Sequence, residues 1–150
     1  MVSFHGERAT VKKELQQVAV KNVMSKKVIT FKPDQKIAEV VNILLSKKIS
    51  GGPVCDDKNN LVGIISEGDC LKQVIRGKYN HMPQHSSLVE DCMVTDVKTL
   101  SPDMDVLEAA AMFLDLKLRR FPVMEDGKLL GQVSQRDVMQ AVLDLKDATW

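Results

Sequence analysis

Met24-Ser25-Lys26-Lys27-Val28-Ile29-Thr30-Phe31-Lys32-Pro33-Asp34 returns, loosened, as Met93-Val94-Thr95-Asp96-Val97-Lys98-Thr99-Leu100-Ser101-Pro102-Asp103. The shared Met, Val, Thr, Pro and Asp stand 69 positions apart. Further along, Glu39, Leu45, Lys48, Pro53 and Val54 match Glu108, Leu114, Lys117, Pro122 and Val123 at the same spacing. Ten identities thus fall in the 31 aligned positions of 24–54, where average residue usage gives about two by chance. A shorter turn then cuts the spacing to 68, and Leu61, Gly63, Ser66, Asp69 and Val74 match Leu129, Gly131, Ser134, Asp137 and Val142. The chain holds two copies of one structural unit.

Each copy reads as strand, helix, strand, strand, helix, which makes the fold α/β with two β-α-β-β-α repeats. Residues 28–31 suggest a short strand, and Pro33-Asp34 turns the chain into a helix. Ile37, Val40, Val41, Leu44 and Leu45 follow the i, i+3, i+4, i+7, i+8 stripe of a core-facing helix. Copy two keeps it as Val106, Ala109, Ala110, Phe113 and Leu114, behind Asp105 and Glu108 at capping-box spacing. A hairpin follows in each copy, across 56–60 and then across a shorter loop with Asp126-Gly127, a tight-turn signal. A second helix carries Leu71, Val74 and Ile75, then Met139, Val142 and Leu143. Val11, Leu15 and Val18 suggest a short lead-in helix. The expected organisation is a lead-in over 1–19, a first repeat over 20–76, a linker over 77–87, a second repeat over 88–146 and a tail over 147–150.

Composition bounds the function. The 150 residues are 44% apolar and 27% charged with a net charge of +1, which is ordinary for a soluble globular chain. That balance and the few aromatics argue against nucleic-acid binding. No apolar run approaches the ~20 residues of a membrane span, and no signal-peptide pattern opens the chain, so a cytoplasmic location without membrane insertion is expected. Cys55, Cys70 and Cys92 form no disulfide framework. Cys70 opens a helix, where a thiolate gains stabilisation; the plainer reading is a small buried side chain. His81 and His85 are separated by Pro83, which argues against a shared helical face and a metal site.

The segments Gly63-Ile64-Ile65-Ser66-Glu67-Gly68-Asp69 and Gly131-Gln132-Val133-Ser134-Gln135-Arg136-Asp137 carry the candidate chemistry. A strand runs out and a helix begins at once, so free N–H groups and the helix dipole favour an anion such as phosphate. The serine hydroxyl adds a hydrogen bond. An aspartate three residues later repels phosphate but suits the vicinal hydroxyls of a ribose. Ser-x-x-Asp is also the spacing of a capping box that only satisfies the helix's own donors. Both readings stand on the sequence.

The arrangement resembles the CBS domain family, named after cystathionine beta-synthase, over residues 20–145. The marks are Val23-Met24 and Cys92-Met93, then Ile49-Ser50-Gly51-Gly52-Pro53-Val54 and Leu118-Arg119-Arg120-Phe121-Pro122-Val123, then the two Gly-x-x-Ser-x-x-Asp segments. The resemblance implies a tandem pair, or Bateman module, packed with pseudo-twofold symmetry around two clefts. Such clefts hold AMP, ADP or ATP, with NAD or S-adenosylmethionine as further candidates. It implies that Ser66 and Ser134 meet phosphate and that Asp69 and Asp137 hold ribose. Ser50, Gly52 and Pro53, their counterparts Arg119, Arg120, Phe121 and Pro122, and Thr30 and Thr99 would line base and sugar. Gly51-Gly52 lets backbone approach a ligand or serves a bulge.

The copies differ in charge. Copy one has Glu67 and Asp69 at its cleft, whereas copy two has Arg119, Arg120 and Arg136 with Asp137. An anionic ligand should prefer copy two, unless these arginines are solvated surface charges. Residues 106–118 are apolar nearly all round, with Leu107, Ala111, Met112, Leu116 and Leu118 outside the core stripe. Such a helix needs a second covered face, and a symmetric homodimer through helix faces supplies one. No catalytic motif is present, and no cofactor is required. The sequence therefore reads as a non-enzymatic regulatory module that binds an adenosine nucleotide and signals to a protein partner. The alternative is a ligand-free dimerisation or docking scaffold.

Overall fold

The computed structural model describes residues 13–14, 17–79 and 87–145. The expected lead-in helix lies largely outside them, as do His81, His85 and the tail. Among the described residues the order is α1 (Ile37–Lys47), β1 (Gly51–Cys55), β2 (Leu61–Ser66), α2 (Glu67–Tyr79), α3 (Val89–Cys92), α4 (Val106–Leu116), β3 (Arg120–Glu125), β4 (Lys128–Ser134) and α5 (Gln135–Leu143). β1 pairs with β2 and β3 with β4, giving two antiparallel hairpins in an α/β fold. The second hairpin turns on Asp126 and Gly127, at φ 52° and 78°. Two positive φ values are what a two-residue turn needs to match the twist of its strands.

The strand expected at the head of each copy is reduced to one parallel bridge, Phe31 to Val54 and Leu100 to Val123. Phe31 donates to Pro53 O and accepts from Cys55 N–H, both at 2.9 Å. Pro33 follows two residues later and has no N–H with which to extend a ladder. α1 and α4 each end on a lysine in the left-handed region, Lys48 at φ 56° and Lys117 at φ 55°. The α4 capping box forms only in part. The Asp105 carboxylate accepts from Glu108 N–H at 2.8 Å. The hydrogen bond and charge of that carboxylate push the Glu108 pKa up.

Two compact units form, and each draws on both repeats. The first comprises residues 28–97 with 127–129; the second takes the described residues of 1–27, 98–126 and 130–150. Val89, from the head of copy two, is fully buried with Phe31, Ile37, Val40 and Ile65. Val20, from the head of copy one, is fully buried with Leu100, Val106, Phe121 and Val133. Backbone bonds fix both insertions. Val89 N–H donates to Gln35 O at 2.9 Å and Ile37 N–H to Ser87 O at 3.0 Å. Val20 N–H donates to Met104 O at 2.8 Å and Val106 N–H to Val18 O at 2.9 Å.

The repeated glycine of the hairpin serves these insertions. A Cβ on Gly131 would sit 2.6 Å from Ser25 O and 3.0 Å from Met24 Sδ. One on Gly63 would sit 2.6 Å from Met93 Sδ and 2.9 Å from Val94 O. Gly131→Ala should therefore lower stability by about 1–3 kcal/mol, the usual cost of overpacking. Gly68→Ala is the control, because its added carbon meets nothing closer than 3.8 Å and alanine is the better helix former. Urea denaturation of the two variants checks the contrast, and equal midpoints would contradict it.

Candidate functional site

β2 runs into α2 at Ser66-Glu67, and β4 into α5 at Ser134-Gln135. In copy one, Asp69 Oδ2 accepts from Ser66 N–H at 2.9 Å and from Ser66 Oγ at 2.8 Å, while Ser66 Oγ accepts from Asp69 N–H at 3.2 Å. In copy two, Asp137 Oδ2 accepts from Ser134 N–H at 2.9 Å, and Ser134 Oγ accepts from Asp137 N–H at 3.1 Å. The capping geometry therefore forms in both copies. It uses one oxygen of each carboxylate. Among the described residues, Oδ1 of Asp69 and of Asp137 accepts no hydrogen bond, so each keeps acceptor capacity for another donor.

The other candidate residues gather by copy. Ser50 O accepts from Glu67 N–H at 2.8 Å. Gly52 pairs with Ile65 in the sheet. A Cβ on Gly52 would stand 2.7 Å from Ile29 O, so this glycine admits the strand segment that carries Thr30. The register shift in this hairpin lies between Val54 and Cys55, away from both glycines. Thr30, Ser50, Gly52, Pro53, Ser66 and Asp69 thus belong to one neighbourhood in the first unit. In the second, Arg119 O accepts from Gln135 N–H at 3.0 Å, and Leu100 N–H donates to Pro122 O at 2.9 Å, which brings Thr99 beside Pro122. Arg119, Arg120 and Arg136 are all exposed. Phe121 is fully buried, its ring 4.7 Å from that of Phe113. Its side chain belongs to the core of the second unit, and the residue has no exposed surface.

The helix starts are less open than a bare N-terminus. The N–H groups of Glu67 and Gln135 already bond to Ser50 O and Arg119 O, and those of Asp69 and Asp137 bond to the capping serines. The copies then differ in one proton. Ser66 Oγ donates to Asp69 at 2.8 Å. Among the described residues Ser134 Oγ has no such bond, so its proton is available to an anion. Cys70 follows Asp69 and is buried. Burial first, then the charges of Asp69 and Cys92, push its thiol up to about 11. The thiol is thus protonated at neutral pH, and the plainer reading of this cysteine holds. Among the described residues no group of three His, Cys, Asp or Glu could hold a metal ion, and no helix is long and apolar enough to cross a membrane.

A groove of about 860 Å³ lies beside the first junction, walled by Leu45, Lys48, Glu67, Leu71 and Val74. Helical periodicity assigned Leu45 and Leu114 to the core, yet they are 74% and 76% exposed. Each sits at the edge of its stripe, about 80° around the helix from Ile37 or Val106 at 100° per residue. Leu71, Ile75, Met139 and Leu143 are also exposed. Conversely, Leu107 and Met112, expected on an outer face, pack against the core of the second unit.

This architecture is that of a CBS pair, and the chain belongs to the CBS domain family, whose model matches residues 20–76 and 89–144. Among solved structures it is similar to CBSX2 of Arabidopsis thaliana in complex with AMP. That match has 28% identity and a TM-score of 0.75, over 86% of this chain and 98% of the other. It is also similar to the CBS pair of MJ0100 in complex with 5′-methylthioadenosine and S-adenosyl-L-methionine. There the identity is 27% and the TM-score 0.69, over 83% of this chain and 94% of the other. A curated relative of undefined function, MJ1426 of Methanocaldococcus jannaschii, is 27% identical over 83% of this chain and 90% of its own length. Other relatives are longer: the chain spans 41% of MJ1225 and 26% of an inosine-5′-monophosphate dehydrogenase from the same organism.

Proposed function

We propose that this chain is a regulatory module that binds an adenosine nucleotide in the cytoplasm, signals to a partner protein and catalyses no reaction. The observation that carries this reading is the doubled junction. In each copy a serine and an aspartate cap a helix, and the aspartate keeps a carboxylate oxygen for a ribose hydroxyl. The AMP and S-adenosyl-L-methionine complexes of similar CBS pairs support the adenosine class. AMP, ADP and ATP are the first candidates, followed by NAD and S-adenosylmethionine. Copy two suits the more phosphorylated ligands, because Arg136 lies in the first turn of α5 and Ser134 Oγ has a proton to donate, whereas copy one offers Glu67 and a hydroxyl already committed.

The same chain is proposed to form a homodimer through its helix faces. Leu45, Leu71, Ile75, Leu114, Met139 and Leu143 leave apolar surface exposed on α1, α2, α4 and α5, and contiguous apolar patches mark association sites.

Calorimetry with AMP, ADP, ATP, NAD and S-adenosylmethionine tests the ligand reading. At least one should bind. Arg136→Ala should weaken ATP by about tenfold, the scale of one charge-assisted bond, and adenosine little. No binding by any of the five leaves the ligand-free scaffold as the function.

A further inference from the structure

We infer that Cys70 and Cys92 form a reversible disulfide that fastens the head of copy two into the first unit. Both thiols are free in this structure. The two residues come from different repeats, Cys70 from the first turn of α2 and Cys92 from the end of α3. The insertion of Val89 carries Cys92 with it. Cys70 is buried in the core around Phe31, Ile37, Val40 and Ile65, and Cys92 packs against that same core. α2 and α3 are in contact.

The second unit has the same arrangement in valine. Cys70 matches Val138 at the spacing of 68, and Cys92 matches Val23 at the spacing of 69. Val138 is buried in the core of the second unit, and Val23 packs against it. In both units, then, one residue after the strand-to-helix junction and one residue on the inserted head meet a single core. One unit fills the two positions with valines and the other with thiols. The electrostatics agree. Burial pushes both thiols up; Asp69 adds to this at each, Asp91 at Cys92, and Cys92 at Cys70, as charges close in space do.

The oxidant is a small-molecule disulfide. Cys92, the less buried of the two, gives its proton to water and attacks one sulfur of that disulfide. The S–S bond breaks, and the leaving thiolate takes up a proton. Cys70 then loses its proton and attacks the Cys92 sulfur, which releases the second small thiol. Two cysteine thiols are oxidised to one disulfide, and the small disulfide is reduced to two thiols. Excess thiol reverses both steps. In a reducing compartment such a bond is transient and reports redox state.

The test is prolonged incubation of the folded full chain with oxidised glutathione, alongside Cys70→Val, Cys92→Val and the double variant. Valine is what copy two carries at both positions, so the variants should fold, with circular dichroism as the check. The parent should lose two thiols and about 2 Da of mass. Peptide mapping should join Cys70 to Cys92 within one chain and find Cys55 reduced. The melting temperature should rise by about 5–10 °C, because the bond closes a loop of the unfolded chain, and dithiothreitol should undo the rise. Cys70→Val should stop with glutathione held on Cys92, and the double variant should show neither the mass loss nor the thermal shift. Unchanged thiols in the parent, glutathione on each cysteine without a joined pair, a bond through Cys55, or a bond between two chains overturns the proposal. The parent's peptide map decides this whether or not every variant folds.

Discussion

Asp137→Asn is expected to lose most nucleotide affinity while keeping the stability of the parent protein. The two oxygens of this carboxylate stand in different surroundings. Oδ2 accepts from Ser134 N–H and completes the cap of α5, and an asparagine carbonyl oxygen can do the same. Oδ1 is the acceptor proposed for the ribose hydroxyls, and the substitution puts an amide donor there. A hydrogen bond to a charged group is worth about 1.5–3 kcal/mol, so affinity should fall about 10- to 100-fold. Asp137→Ala removes both functions and should also cost about 1 kcal/mol of stability, the usual price of a lost cap. Calorimetry with the best ligand, paired with urea denaturation, separates the two variants. Full affinity in Asp137→Asn would mean that the aspartate is a cap and nothing more.

Leu143→Glu should convert the proposed dimer to monomers with little change in the stability of the unit. Leu143 is 64% exposed on the last turn of α5, so its own core loses little. In a two-fold dimer the substitution acts twice. Each copy forgoes up to about 1.5–3 kcal/mol of apolar burial and buries a carboxylate that has no designated partner. The combined effect on the dimer constant should exceed about 100-fold. Met112→Glu makes the opposite comparison. Met112 packs against the core of the second unit, so a glutamate there should unfold the unit rather than merely part the dimer. Sedimentation and thermal melts on both variants check this, and a Leu143→Glu chain that remains dimeric would remove α5 from the interface.

Local patterns in the sequence carried the hairpins, the long helices and the paired junctions. Asp126-Gly127 specified its turn because few residue pairs tolerate two positive φ values. The Ser-x-x-Asp spacing was legible as two possibilities; the cap forms on one carboxylate oxygen, which leaves the other open for the proposed ligand. Three features were not legible, each for its own reason. Leu45 and Leu114 belong to the helical stripe by period, but period gives an angle and not the width of the surface that covers it. The head strand at Phe31 and at Leu100 has the right residues and lacks length, since its pairing stops at a single bridge. The insertion of Val20 and Val89 depends on contacts far along the chain, which local patterning does not encode. A signal for it was present in Gly63 and Gly131, because a glycine inside a strand marks the close approach of another segment. Both also open the Gly-x-x-Ser-x-x-Asp segments, and that motif masks the signal.

Each core holds a valine borrowed from the head of the other repeat, so neither repeat is a complete recipe for folding. Scissors placed in the 77–87 segment would release two polypeptides, each with a hydrophobic socket and each with the plug for its sister's. Such halves are complements rather than copies, despite their common ancestry in sequence. Mixed together, they have every contact needed to rebuild both units; kept apart, each exposes the hole that the other was made to fill. Duplication here has produced mutual dependence, and a gene fragment encoding one repeat alone would not inherit the fold of the whole.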